Sequence, residues 1–182
     1  MAKFYPAITK RLEKFIEAQK IFFVATAPAE GRINLSPKGM DSFRVLGKNR
    51  VLWLNVTGSG NETAAHLLDS NRITIMFCSF EGAPNILRLY GKGKEIKAKD
   101  TAWNELISLF PKTPGTRQIY DIEVTSAQTS CGMSIPFYEY QGERHELNEW
   151  ASEKGPQGIE EYWSEKNQSS IDGLPTNILK NL

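Results

Sequence analysis

Apolar residues recur at helical spacing at the start of the chain and at strand spacing through most of the remainder. From Pro6 to about Gln19, Ile8, Leu12, Phe15 and Ile16 fall at i, i+4, i+7 and i+8 with Lys10, Arg11, Glu13, Lys14 and Glu17 between them. This predicts an amphipathic helix with Pro6 in its first turn. The period then shortens. Residues 21–27, 32–36, 42–46, 50–56 and 72–80 are short runs rich in β-branched and aromatic residues. Ala29-Glu30-Gly31, Pro37-Lys38-Gly39 and Gly47-Lys48-Asn49 stand at junctions between them, which predicts an antiparallel meander. A sixth strand runs from Pro84 to Ile96, with Gly91 and Gly93 as points of kink or bulge. Asp100 is placed to cap a helix carrying Trp103, Leu106, Ile107 and Phe110 on one face. From Arg117 to Thr125, Tyr120, Ile122 and Val124 alternate with Asp121, Glu123 and Thr125, predicting a half-exposed seventh strand.

Beyond Gly142 the chain turns to Glu, Lys, Asn and Gln with scattered aromatics, which predicts two short surface helices and then a polar tail from Asn167. The expected fold is α+β and mainly β: six to seven antiparallel strands with peripheral helices, closed into a small barrel because closure removes exposed strand edges. Residues 1–141 are expected to form the barrel, and residues 142–182 a helical extension packed on the same domain.

Composition limits what such a barrel binds. A chain of 182 residues, 40% hydrophobic and 24% charged, has material for one real core. Twenty-two basic against 21 acidic residues leave a net charge of +1, so no bulk field recruits nucleic acid or an anionic membrane. A polyanion would have to be small and held locally. Two cysteines make no disulfide framework, the first residues lead into a charged helix without an apolar leader, and no apolar run nears the ~20 residues that span a bilayer. The expectation is a reduced cytoplasmic protein without a membrane or nucleic-acid partner.

Four segments carry candidate chemistry. Thr57-Gly58-Ser59-Gly60-Asn61-Glu62-Thr63 lies between a strand and a short helix, a layout in which backbone N–H groups and the helix dipole favour phosphate. It lacks the Gly-Lys-Ser/Thr of a P-loop, and Thr63 stands where a dinucleotide fingerprint has its third glycine. The bland alternative is a glycine-rich turn with Asn61 as an ordinary N-cap. Asn34-Leu35-Ser36-Pro37-Lys38-Gly39 ends a strand with one lysine beside hydroxyl and amide groups. Arg88 and Tyr90 share a strand face, where a barrel-facing arginine needs a carboxylate, phosphate or polar ring edge; Glu81 and Asp121 are the structural partners to weigh. Gln128-Thr129-Ser130-Cys131-Gly132 comes after the last strand as a cluster of small donors ending in a thiol. Only two histidines, His66 and His145, are available for a Cys–His dyad, and no metal-ligand spacing stands out.

In order and spacing, Leu35-Ser36-Pro37-Lys38-Gly39, Thr57 to Thr63, Ile73-Thr74-Ile75-Met76-Phe77, Leu87-Arg88-Leu89-Tyr90-Gly91 and Thr129-Ser130-Cys131-Gly132 resemble the pyridoxamine 5′-phosphate oxidase-like flavoproteins over roughly Ile21 to Pro136. The resemblance implies a Greek-key split barrel that binds FMN at a homodimer interface. It implies that Asn34, Ser36, Lys38, Thr57, Asn61 and Thr63 meet the phosphate, that Arg88 approaches the flavin, and that Gln128, Ser130, Cys131 and Gly132 line the site, from the second subunit if the interface is shared. Glu62-Thr63 replaces the family's Arg-Lys pair at the helix start, and its C-terminal substrate motif is missing, so vitamin B6 oxidation is not implied. The implied function is flavin-mediated redox of a small, unassigned substrate. The alternative is a non-catalytic FMN- or haem-binding or sensing module on the same barrel.

Overall fold

The computed structural model describes residues 2–180. In chain order it contains β1 (Lys3–Tyr5), α1 (Lys10–Ala18), β2 (Phe22–Thr26), β3 (Asn34–Lys38), β4 (Phe43–Gly47), β5 (Arg50–Val56), α2 (Glu62–Asp69), β6 (Arg72–Cys78), β7 (Asn85–Ile96), α3 (Trp103–Ile107), β8 (Thr116–Cys131) and α4 (Glu146–Lys166). The strands form one sheet in the order β3-β2-β6-β7-β8-β5-β4, every pair antiparallel, with β1 added to the far end of β8.

The outermost strands, β3 and β4, do not pair with one another, yet Lys38 and Phe43 are only five positions apart in the chain. That link spans at most about 17 Å, so the sheet has to curl until its ends are close. Aromatic rings meet across the seam: Phe43 lies 5.0 Å from Phe22 and 5.2 Å from Phe77, and Phe22 lies 6.5 Å from Trp53. The barrel is therefore split, its seam held by side-chain packing rather than by the backbone closure expected from the strands alone.

Alternation sets what fills it. Val24, Val51, Trp53, Ile75, Phe77, Leu87, Leu89, Tyr120, Ile122 and Val124 point inward, and α1 adds Leu12 and Ile16 to the same core. Each such aliphatic side chain contributes roughly 1.5–3 kcal/mol when fully buried. Leu52, Leu54 and Ile119, on the opposite faces of β5 and β8, form a second core with Leu106 and Phe110 at α3. The third core joins Ala151, Ile159 and Trp163 of α4 to Ile178 of the tail.

The structure differs from the sequence reading at several points. The described residues form eight strands, because β1 forms only where β8 offers it an edge: Lys3, Phe4 and Tyr5 pair with Thr129, Gln128 and Ala127. Gln128, Ser130 and Cys131 lie within β8 rather than after it, since pairing with β7 extends that strand through residues with no apolar alternation. Lys38 ends β3 opposite Phe22 instead of sitting in a turn. The meander holds only as hairpins β2–β3, β4–β5 and β6–β7; the crossing at residues 39–42 and the insertion of α2 separate them. Helix α1 starts later than Pro6, where the Thr9 hydroxyl accepts the Leu12 N–H. Asp100 accepts the Lys97 N–H and leaves α3, a single short helix, without a side-chain cap.

The C-terminal segment is two helical stretches broken at Gly155 (φ 66°) ahead of Pro156, and its tail turns back through a bridge between Ser169 and Pro175. Among the described residues, no helix is long and apolar enough to cross a membrane.

The bulge expected near Gly91 occurs between Tyr90 and Gly91, where the β7–β8 register shifts. A Cβ at Gly91 would lie 2.4 Å from the Glu123 carbonyl oxygen, whereas one at Gly93 would meet the movable end of Leu67 at 2.8 Å. Gly91→Ala is therefore expected to destabilise the fold by about 1–3 kcal/mol, the range for overpacking, and Gly93→Ala by less. Chemical denaturation of the two variants checks this ranking.

Candidate functional site

Strand β3, the glycine loop before α2 and the start of β8 surround a cavity of about 550 Å³, within the size range of small-molecule sites. Its wall includes Asn34, Ser36 and Lys38 of β3, Trp53 and Asn55 of β5, Gly58 to Thr63, His66 of α2, Arg117 of β8 and Ile171 of the tail. Alternation explains the β3 contribution: Asn34, Ser36 and Lys38 turn to one face, while Leu35 and Pro37 are exposed on the other.

Three cationic side chains border this cavity. Arg32, at its rim, is paired with Asp172, whereas Lys38 and Arg117 make no ion pair among the described residues. Lys38 is half-buried, with its ammonium 5.2 Å from the centre of the Trp53 ring. Burial, together with the nearby Arg117, pushes its pKa down to about 8. Arg117 is 5% exposed, and burial pushes it down to about 10, so it stays charged at neutral pH. Its Nη1 donates to the Gly60 carbonyl (3.2 Å) and Asn167 Oδ1 (2.6 Å), and its Nε donates to Gln118 Oε1 (3.0 Å). All three acceptors are neutral. A buried cation without a paired carboxylate is costly, and Arg117 with the half-buried Lys38 beside it makes an electrostatic site for an anion.

Arg117 also orients its surroundings. A guanidinium can only donate, so Gln118 must present Oε1 to it. That oxygen also accepts from Asn55 Nδ2 (2.7 Å), while Gln118 Nε2 donates to Glu95 Oε1 (2.6 Å) and Asn61 Oδ1 (3.2 Å). Asn61 is thereby fixed with its oxygen toward Gln118, and its Nδ2 is buried without a partner among the described residues. The residue stands at the N-cap position but makes no side-chain capping bond. His66 is likewise 1% exposed, with Nδ1 3.0 Å from Thr26 Oγ1 and Nε2 without a hydrogen-bond partner among those residues.

The acidic helix start also lines the cavity, and its carboxylate is engaged by the tail. Both carboxylate oxygens of Glu62 accept the Ile171 N–H, at 3.1 and 3.2 Å, and Oε2 lies 3.9 Å from His66 Nε2. Asn167 Nδ2 donates to the carbonyls of Gly58 and Ser59, and Arg32 reaches Asp172 through both its backbone N–H and its guanidinium. Thr57 is committed to structure: its hydroxyl donates to the Gly115 carbonyl and accepts the Trp163 indole N–H, each at 2.8 Å.

Apart from Thr57, the residues singled out from the sequence fall into two groups. Asn34, Ser36, Lys38, Asn61 and Thr63 meet at the cavity. Arg88, Gln128, Ser130, Cys131 and Gly132 gather where β7 begins and β8 ends, outside its lining. There Arg88 Nη1 donates to Ser130 Oγ (3.1 Å) and Tyr90 donates to Gln128 Oε1 (2.9 Å). Arg88 faces away from the barrel interior because Leu87 and Leu89 take the inward positions, and among the described residues it pairs with neither Glu81 nor Asp121; Asp121 instead holds Arg50. Neither histidine is hydrogen-bonded to a cysteine among the described residues, and no group of three His, Cys, Asp or Glu side chains there could hold a metal ion. Sequence reasoning misses Arg117, Gln118 and His66 as site residues. Arg117 opens the alternating strand on the same phase as Asp121 and Glu123, and so reads as solvent-facing; the β5–β8 irregularity at Asn55/Val56 lies beside it.

Residues 8–131 match the family model described as pyridoxamine 5′-phosphate oxidase. Over 193 aligned residues the chain is 33% identical to the pyridoxamine 5′-phosphate oxidase family protein ustO of Aspergillus flavus, covering 96% of this chain and 78% of that protein. Among solved structures, a variant of HupZ from group A Streptococcus superposes with a TM-score of 0.56 at 19% identity, covering 68% of this chain and 99% of that one. A candidate pyridoxamine 5′-phosphate oxidase from Lactobacillus delbrueckii gives 0.55 at 14% identity, covering 68% and 94%. At those identities the structural likeness is one of fold. The extent of the family match and the identity to the fungal relative establish that this chain belongs to the pyridoxamine 5′-phosphate oxidase family.

Proposed function

We propose that the chain binds FMN and serves flavin-mediated redox of a small substrate, as a cytoplasmic homodimer. The observation that carries this reading is the pair of cations, Lys38 and Arg117, in one cavity beside the glycine loop and, among the described residues, unpaired with carboxylates. A phosphate ester supplies the missing charge, and the donors around it fit: an ammonium, a guanidinium and the hydroxyls of Ser36 and Thr63. FMN, when bound, supplies the electron-carrying ring, while the protein's part is to hold, orient and polarise it.

Two features favour a shared site. Arg88, Gln128 and Ser130 lie apart from the cavity within one chain, and exposed apolar side chains, Phe4 at 66%, Met133 at 82% and Phe137 at 80%, lie on or just beyond the paired β1 and β8 strands. A second copy docked there covers this apolar surface and brings Arg88 to the partner's cavity. A cation at the pyrimidine end of the ring stabilises its reduced, anionic form, which is the role assigned to Arg88.

Added FMN is expected to raise the melting temperature and to leave a yellow protein after gel filtration. Colourless protein without stabilisation overturns the cofactor assignment, and bound flavin that neither NADH nor NADPH reduces favours the non-catalytic module. Lys38→Ala is expected to weaken FMN binding by about 1.5–3 kcal/mol, the range for a hydrogen bond to a charged group. The pH dependence has a definite sign. Free Lys38 loses its proton near pH 8, whereas bound phosphate favours the ammonium, so affinity is full below that pH and falls above it. Between pH 7 and 9 the wild-type dissociation constant should rise about tenfold, the factor for one proton per pH unit above that pKa, and Lys38→Met should flatten the profile. Arg88→Ala should shift the flavin reduction potential more than it reduces FMN retention. Co-expressed Lys38→Ala and Arg88→Ala chains test the shared interface: heterodimers should regain one site of wild-type affinity and potential, which a site built within each chain cannot produce.

A further inference from the structure

The cavity wall holds hydrogen-bonding capacity that an anion alone does not use. Asn61 and His66 are 2% and 1% exposed, both line the cavity, and each has one side-chain nitrogen without a partner among the described residues, Nδ2 and Nε2 respectively. The orientation of Asn61 comes from its neighbours: Arg117 can only donate, Gln118 therefore turns its amide N–H groups to Asn61 Oδ1, and Asn61 Nδ2 remains as a donor. His66 is anchored at its other nitrogen by Thr26, so rotating the ring to find another partner breaks that bond. An unmade buried hydrogen bond is costly, and here two stand at one helix beside the cation pair.

The carboxylate of Glu62, 3.9 Å from His66 Nε2, decides what kind of group fits. A second anion would be repelled by it. A hydroxyl can accept from Asn61 Nδ2 while donating to Glu62 or His66. We propose that Asn61, Glu62 and His66 recognise the hydroxyl-bearing chain of a polyol phosphate whose phosphate is held at Lys38 and Arg117. On the cofactor reading, on which this inference rests, that chain is the ribityl chain of FMN.

The chain has two histidines, and His145 lies exposed at the start of α4, so ring-nitrogen NMR of 15N-histidine-labelled protein reads His66 with an internal control. At constant pH, saturating FMN is expected to shift the His66 Nε2 resonance and leave His145 in place, whereas inorganic phosphate should leave both in place. A His66 shift of equal size with phosphate alone makes His66 an anion ligand and overturns the inference. No shift, with FMN binding confirmed by quenching of flavin fluorescence, overturns it while sparing the cofactor reading. Failure of FMN to bind overturns both. Side-chain replacement separates recognition from packing. His66→Gln keeps a nitrogen near the Nε2 position, and His66→Asn keeps one near Nδ1. Recognition through Nε2 predicts FMN affinity near wild type for the first and about three- to tenfold weaker for the second, the span of one hydrogen bond. The reverse order, with the Thr26 contact dominant, overturns the inference.

Discussion

The Arg117 guanidinium is the constraint from which the cavity is built. Its removal from water costs several kcal/mol, and its hydrogen bonds reach only neutral oxygens, on Gly60, Gln118 and Asn167. Because it cannot accept, each neighbouring amide has one allowed orientation, and the constraint passes from Gln118 to Asn55, Glu95 and Asn61. Gln118, fully buried, has both amide hydrogens and both oxygen lone pairs engaged. The glycine loop is fixed from behind by the same arginine, through the Gly60 carbonyl. A strand start, a loop and the C-terminal segment thus share one cation, with which no carboxylate pairs among the described residues.

Strands and core were readable because alternation reports burial directly: the inward set from Val24 to Val124 is the set of apolar positions at period two. What could not be read this way depended on partners distant in the chain. Lys3-Phe4-Tyr5 becomes a strand only because β8 overruns β5 and leaves an edge for it. Gln128 to Cys131 is polar and small, and pairs with β7 because Leu87 and Leu89 fix that register upstream. Within the candidate site, Lys38 and Asn61 could be named from local turn and loop chemistry, whereas Arg117 and His66 could not. Their meaning lies in burial beside residues 40 or more positions away, and a one-dimensional pattern presents an arginine at a strand start and a histidine on a helix as ordinary surface and core residues.

The C-terminal segment is part of the cavity's construction, although its composition reads as a surface appendage. Trp163 donates to Thr57, Asn167 holds Arg117 and two loop carbonyls, and the Ile171 N–H occupies Glu62. The polar tail is ordered because these groups give its backbone and side chains partners: Asn167 and Thr176 are fully buried, and the Thr176 hydroxyl donates to the Asn167 carbonyl. Glycine-rich loops are costly to order, and here the ordering comes from a segment more than 100 residues downstream.

The placement of charge around α2 bears on how an anion is held. An acidic residue in the first turn is favoured by the helix dipole, by about 0.3–1 kcal/mol at exposed sites, so Glu62 uses the positive helix end that a phosphate would otherwise use. Its carboxylate is further engaged by the tail. On the proposed FMN reading, the phosphate is therefore drawn toward β3 and β8, where Lys38 and Arg117 stand, rather than onto the helix axis. Of these two, Arg117 keeps its proton through the neutral range, while Lys38, at about 8, is the cation whose charge is negotiable. A site that exchanges helix-start cations for one buried arginine and one labile lysine gains a pH-dependent affinity. On the proposed FMN reading, it also leaves Asn61 and His66, on the helix side, for the part of the ligand that carries no charge.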